Sequence, residues 1–304
     1  MKISSKNKNL STVIKDFILF CEQQGIERFE VEPIAGSPQT SFLSIQIETS
    51  VRIALLDHQN PPLYNEFKDW YQKQAPLFVL WTDYWQAKKE IVFSKILHEL
   101  GRSVRVPARV CQVRRITAPE STQFLQNHHL HPVPKARIHY GLFLPPAYFR
   151  LIPAELLAQL PRHSFTEYGL FLAVSTFSNA KKIMRHQCIF RSYEWIRSCS
   201  HKGFVVVGGL DKLLKTFEKD IQPDDLVTYA DIEWSPQEGA FQKIGFEPYG
   251  QMAPCFYRWN DQETQREKIQ DSLLATDSFP LFNLGSTKWI RYYKSIKEDD
   301  DERP

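Results

Sequence analysis

Residues Ser192 to Leu214 read as a strand, a glycine-bearing turn at Val207-Gly208-Gly209 and an amphipathic helix. A turn of this kind leaves several backbone N–H groups free at a helix start. The helix dipole favours negative charge there, so the segment suits a phosphate or pyrophosphate. The same glycine pair also suits a plainer use, letting a strand enter a helix at close quarters. Other reactive side chains are more scattered. Asn127-His128-His129-Leu130-His131 holds three histidines, but adjacent positions do not share a helical face and His128 with His131 is only an i, i+3 pair, so no metal site is expected. Arg102, Arg105, Arg109, Arg114 and Arg115 form a basic stripe near Trp81, Tyr84 and Trp85 in sequence. Such a stripe suits nucleic-acid backbones, with the aromatics stacking on bases, and equally suits the solvated face of an alternating strand.

Bulk properties bound these readings. A chain of 304 residues is long enough for one large domain or two ordinary ones, and 42% apolar with 13% aromatic residues predicts a folded protein over most of its length. Net charge is +3, and residues 1 to 103 carry 12 basic against 12 acidic side chains, so neither half is a strongly basic arm. Cys21, Cys111, Cys188, Cys199 and Cys255 are odd in number and lack CxxC spacing, which predicts reduced thiols in a cytoplasmic protein. The lysine-rich stretch Met1 to Asn9 precedes an apolar part broken by Lys15 and Asp16, and no apolar run approaches a membrane span.

The positioning elements follow from periodicity. Apolar spacing predicts a helix over 10–25, strands Ser41 to Ile47 and Val51 to Leu56, a helix Leu63 to Lys73, a strand Leu77 to Trp81 and a helix from Tyr84 to Leu100. Gly101 followed by Pro107 marks a boundary. Beyond it come a strand Ala108 to Ile116, a capped helix Pro119 to His128, and strands Ile138 to Leu144 and Tyr168 to Phe177 flanking a proline-rich insert, Pro145 to Ser164. Strand Tyr193 to Ser198, helix Gly209 to Lys219, strand Leu226 to Asp231, a short helix at Ala240 to Lys243 and a final strand Ala253 to Trp259 complete the series. The fold class is α/β (α+β), with domains over 1–103 and 104–262 and an extension over 263–304 whose acidic end, Glu298 to Pro304, is expected to be disordered.

The order β-α-β-β-β-α-β-α-β over 108–260, with the phosphate-suited turn after its fourth strand and Lys243-Ile244-Gly245-Phe246 closing the short helix, resembles the GNAT acyltransferase superfamily. Leu80-Trp81-Thr82-Asp83-Tyr84-Trp85, Ala108-Arg109, Phe124 to Leu130, Val207-Gly208-Gly209 and Thr228-Tyr229-Ala230-Asp231 with Trp234-Ser235 resemble a more particular group, found in bacteria and phages. That group joins a Vsr-like, restriction-endonuclease-type N-terminal domain to a GNAT-like C-terminal one, and its phage members are often described as homing endonucleases of mobile elements.

The resemblance implies acyl-CoA, acetyl-CoA or a longer form, as co-substrate and an amine as acceptor. The pyrophosphate would lie on the N–H groups of Val207, Gly208 and Gly209 with Lys212 or Lys202 nearby. The backbone of Ile196, Ser198 and Cys199 would pair with the pantetheine. Glu194 falls where such enzymes often place a general base, Asp231 is a second candidate, and Tyr229 would serve as acid because Phe241 stands where many carry a tyrosine. Glu194 paired with Arg191 or Arg197, Asp231 capping the turn before Trp234, and Tyr229 as a buried aromatic are the structural alternatives. The N-terminal domain departs from a nuclease: Glu48 and Asp57 lack a following Glu-x-Lys, and Thr82 stands where related sequences have Glu, so a non-catalytic remnant is expected. A nucleic-acid-binding module is the alternative function.

Overall fold

The computed structural model describes residues 8–33, 42–48, 50–74, 78–185, 187–234, 239–263, 265–269 and 280–294. The predicted acidic tail lies outside them, as do Ser235 and Leu77. The chain is mixed α/β and divides into two units, one gathering 1–102, 230–238 and 251–287, the other 103–229, 239–250 and 288–304. The units thus interleave where the sequence pattern suggests contiguous stretches.

In the first unit, helix α1 (Lys8–Gln23) buries Leu10, Val13, Ile14, Phe17, Phe20 and Cys21, the i, i+3, i+4 stripe its sequence dictates. Strands β1 (Phe29–Pro33), β2 (Phe42–Ile47) and β3 (Val51–Leu56) form an antiparallel meander. Helix α2 (Tyr64–Gln74) then carries the chain over to β4 (Phe78–Trp81), which pairs with β3 in parallel, and α3 (Thr82–Glu99) follows at once. Phe42, Leu56, Phe67, Val79 and Trp81 make an aromatic-rich core.

The second unit begins with β5 (Val104–Pro107) and a 3-10 turn at Ala108–Val110, then β6 (Gln112–Arg115), a shorter strand than the predicted Ala108 to Ile116. Helix α4 (Ala118–His128) starts on a capping box: the Thr117 hydroxyl accepts from the Glu120 N–H and the Glu120 carboxylate accepts from the Thr117 N–H. Next come β7 (Ile138–Leu144), the insert with its short helix α5 (Ala154–Gln159), β8 (Phe165–Thr166), β9 (Gly169–Phe177), β10 (Lys181–Arg185) and the long β11 (Cys188–Ser200). Strand β12 (Phe204–Val207) pairs in parallel with β5 and leads into α6 (Gly209–Ile221), followed by β13 (Asp225–Asp231), α7 (Gly239–Lys243) and β14 (Glu247–Met252). Three further strands, β15 (Phe256–Asn260), β16 (Gln265–Lys268) and β17 (Leu281–Phe282), form a separate small sheet, and β18 (Ser286–Tyr292) ends the described chain. The main sheet runs β14-β18-β13-β11-β9-β7-β6.

The predicted final strand of the acyltransferase-like sheet is the principal correction. Phe256, Tyr257 and Trp259 of β15 pack with Phe282 onto the Phe42–Trp81 core of the first unit. Three large aromatics over a few residues are worth several kcal/mol of burial wherever an apolar face is exposed, and alternation alone does not say which face that is.

Candidate functional site

β11 is paired with β13 in parallel only from Ser192–Asp225 to Trp195–Thr228, although both strands run on, to Ser200 and Asp231. The last shared pair is fastened by the Thr228 hydroxyl donating to the Trp195 carbonyl at 2.9 Å. On the opposite edge the antiparallel register with β9 slips between Trp195 and Arg197, so Ile196 is the extra residue of a bulge. Bulges free a peptide from its ladder and recur beside active sites. The backbone of Ile196 thus stands where β11 loses its regular partners on both sides. Beyond it Ser198 is turned toward β9, its hydroxyl 2.9 Å from that of Ser175 and 3.0 Å from the Val174 carbonyl, whereas Cys199 packs against the Phe124–Phe171 cluster.

Glu194 is half-buried, and its carboxylate has no hydrogen-bond or ion-pair partner among the described residues. The expected alternative, a pairing with Arg191 or Arg197, is not what the geometry shows. Arg191 donates to the carbonyls of Ile221 and Gln222, and Arg197 to that of Ile196. Tyr229, 39% exposed, has its phenol raised above the ordinary value by burial first and by the Glu194 charge second, with Arg185 opposing. These two side chains of the second unit are close enough to sense each other. Asp231 falls in the first unit, and its carboxylate accepts the Glu233 N–H at 2.8 Å, the turn-capping use. Phe241 stacks on Trp289 and meets Trp195 and Phe246 edge-on, an aromatic packing role with no hydroxyl to donate.

At the turn, Gly208 takes φ +78 as the residue before α6, a conformation that favours glycine, while Gly209 is required for space. A Cβ on Gly209 would stand 3.0 Å from that of Val206. Val207 and Leu210 flank the turn at 45% and 41% exposure, whereas Gly209, the first residue of α6, is buried. Lys212 does not stand free for a phosphate: its ammonium donates to the carbonyls of Ala108 and Cys111 at 2.9 and 2.6 Å, a strut between α6 and the chain before β6. Asp211 in the first turn of α6 is paired with Lys215 at 2.7 Å.

The arginine stripe is dispersed. Arg102 pairs with Glu48 at 2.7 Å in the first unit. Arg105 lies on β5 and Arg109 in the 3-10 turn. On β6, Arg114 lies over the Tyr168 ring, and Arg115 donates to the Tyr140 hydroxyl at 2.8 Å. Within the second unit Arg114 and Arg115 are engaged with Tyr168 and Tyr140, so nucleic-acid binding gains no support. The histidine run likewise splits. His128 is buried with its ring tilted against that of His201, centroids 4.1 Å apart, and accepts the Lys202 N–H, while His129 Nδ1 accepts from the His131 N–H. Burial, with the nearby His201 and Lys202, pushes His128 down to about 2. His201 in turn contacts the Ser164 hydroxyl at 3.1 Å, which ties the end of the insert to the core.

Sequence reasoning missed a polar cluster in the first unit, where β3 and β4 end. Asp57, nearly fully buried, accepts from the Gln59 N–H, Asn60 Nδ2 and, at 3.4 Å, the Thr82 hydroxyl. Thr82 Oγ1 is also 2.6 Å from His58 Nδ1. Next to it, Asp83 holds Arg266 through two hydrogen bonds of 2.7 and 2.8 Å, with the guanidinium over the Trp81, Tyr84 and Tyr257 rings. Glu233 is buried with Oε1 unpartnered among the described residues, and desolvation above all, then Asp231, raises its carboxyl well above the ordinary range. Arg266 lies 183 positions from Asp83, beyond the reach of any local pattern. Among the described residues no three His, Cys, Asp or Glu side chains gather as a metal site, and no helix is long and apolar enough to cross a membrane.

No family model and no curated protein matches the chain. Solved structures similar to it include an IAA acetyltransferase from Bacillus cereus (11% identity, 60% of this chain and 99% of that one, TM-score 0.32). A GNAT family acetyltransferase from Elizabethkingia anophelis with acetyl-CoA bound is similar at 11% identity (60% and 98%, TM-score 0.33). So is a spermidine/spermine N-acetyltransferase from Vibrio cholerae at 8% (61% and 94%, TM-score 0.32).

Proposed function

We propose that the second unit is a GNAT-like acyltransferase domain that binds acyl-CoA and moves the acyl group to an amine. The observation that carries this reading is the parting of β11 from β13 after Trp195–Thr228, with the bulge at Ile196 on the other edge. Together they free backbone on β11 in the same unit as Glu194, a carboxylate unpaired among the described residues, and a glycine-started helix. The pantetheine amides would take the ladder positions β11 leaves open from Ile196 to Cys199, and the pyrophosphate the N–H groups of α6 past Gly208. The acceptor amine gives its proton to Glu194 and attacks the thioester carbonyl, forming the C–N bond. The Ile196 N–H is the candidate donor to the oxyanion. Collapse breaks the C–S bond, and Tyr229, held protonated by burial and the Glu194 charge, returns a proton to the thiolate.

We read the first unit as a nuclease-derived remnant without catalysis. Its helix, three-strand meander, helix and parallel strand bring Asp57 and Asp83 to adjacent strand ends. There Arg266 occupies the charge of Asp83 that a divalent metal would need. The proposal is tested by incubating the full chain with acetyl-CoA and a panel of primary amines while following free thiol. Thiol release that requires both an amine and Glu194 is expected; none with any amine would count against acyl transfer.

A further inference from the structure

The first unit contains a cavity of about 410 Å3 whose lining includes His58, Gln59, Tyr257, Arg258, Trp259 and Asp261. Its volume lies in the range of small-molecule sites, roughly 300 to 1,000 Å3. It opens where β3 gives way to His58, beside the parallel partner β4, and the carboxyl ends of parallel strands are where open α/β sheets hold ligands.

We propose that this cavity is a nucleotide site, taking the base against Trp259 and Tyr257 and the phosphate on Arg258. Tyr257 and Trp259 are only partly buried where they pack on the core, and both line the cavity together with Arg258, so ring surface for a planar heterocycle lies beside a cation. The indole is held edge-on to the His58 ring, centroids 4.6 Å apart. His58 is only 3% exposed, and Thr82 engages its Nδ1, so Nε2 is the ring nitrogen left for the cavity. The Asp57–Thr82–His58 chain of contacts at 3.4 and 2.6 Å fixes the ring in that orientation. Around it, Asp261 and the Gln59 carboxamide offer acceptors and donors of the kind a base edge or ribose hydroxyls need. Arg258 is exposed and has no ion-pair partner among the described residues, which leaves it for a phosphate at the mouth. A bare metal ion has no set of three His, Cys, Asp or Glu ligands here among the described residues.

The experiment titrates the full chain with AMP, GMP, CMP and UMP, with the parent nucleosides, and with short single-stranded oligonucleotides, reading tryptophan fluorescence and ligand-observed NMR. Two variants accompany it, Arg258→Glu and Asp261→Ala, both at exposed positions and both checked for unchanged melting. Saturable binding of at least one nucleotide is expected, weakened roughly tenfold or more by Arg258→Glu, with the matching nucleoside little affected. Tighter binding of an oligonucleotide than of its mononucleotide identifies the base of a strand as the occupant; mononucleotide binding alone identifies a free nucleotide. No saturation by any of these ligands, or undiminished nucleotide affinity in Arg258→Glu, overturns the proposal.

Discussion

In the first unit the charges at the ends of β3 and β4 are closed on one another: Asp83 grips Arg266 in a fork, and Asp57 spends its oxygens on Gln59, Asn60 and Thr82. In the second unit the groups where β11 and β13 part are left open. Glu194 is unpaired among the described residues, and Ile196 sits outside the register with β9. A carboxylate with all its partners inside the fold holds structure together, whereas one positioned by a strand and left without a partner can take a proton from something that arrives. The two sites are therefore expected to fail in different ways, the first by unfolding and the second by losing chemistry while the fold persists.

The largest expected effect breaks the closed site. Asp83→Ala leaves the Arg266 cation buried among Trp81, Tyr84 and Tyr257 without its counter-charge, at a cost of about 3–5 kcal/mol. Urea denaturation reads that loss. An unchanged midpoint would show that the pair is not structural. At the open site, Glu194→Gln should lower the acyl-transfer kcat by about 100-fold or more with the urea midpoint and acetyl-CoA affinity preserved. Loss of stability in that variant would place Glu194 with the closed type instead.

The second unit also has a closed set, which sharpens the contrast. His128 is neutral in the fold down to about 2, whereas the unfolded chain takes up a proton below its ordinary value of 6.5. The unfolded state thus binds more protons between those values, and stability falls as pH drops through that window, by up to about 1.4 kcal/mol per pH unit for this group. His128→Gln, which keeps an acceptor for the Lys202 N–H, should flatten the pH dependence of the urea midpoint. An identical slope would assign the acid sensitivity elsewhere. The smallest effect is at the turn. Gly208→Ala has room, the nearest heavy atom being the Ala108 Cβ at 3.8 Å, but must hold φ +78, so a loss of about 1–2 kcal/mol in the urea midpoint is expected.

What could be read from sequence follows the range of the interactions. Helix α4 is written within a few residues, in Thr117, Pro119 and Glu120, and the apolar stripe of α1 is written in its own period. The glycine turn and α6 are equally local, but the strand that enters the turn is β12, paired with β5, and not the predicted strand within β11. The ladder alternation of β15 marks a strand, yet its sheet is chosen by Phe282, Phe67 and Trp81, far away in sequence. Lys212 reads as a free cation near a phosphate turn because nothing nearby reveals that Ala108 and Cys111 offer their carbonyls. Arg266 carries no local signal at all, since its meaning comes from Asp83. Glu194 was legible by position on its strand, but its lack of a partner depends on where Arg191 and Arg197 turn, which only the fold decides.

The central claim is that the open site of the second unit binds acyl-CoA. The most direct test is isothermal calorimetry of acetyl-CoA with the wild-type chain and with Val207→Glu. Val207 is 45% exposed beside Gly208, so this variant sets a carboxylate against the phosphates without the clash that a side chain on Gly209 would make with Val206. The account predicts saturable binding that weakens about tenfold or more in the variant, with unchanged melting. Wild-type protein that does not bind acetyl-CoA, or a variant that binds it equally well, would contradict it.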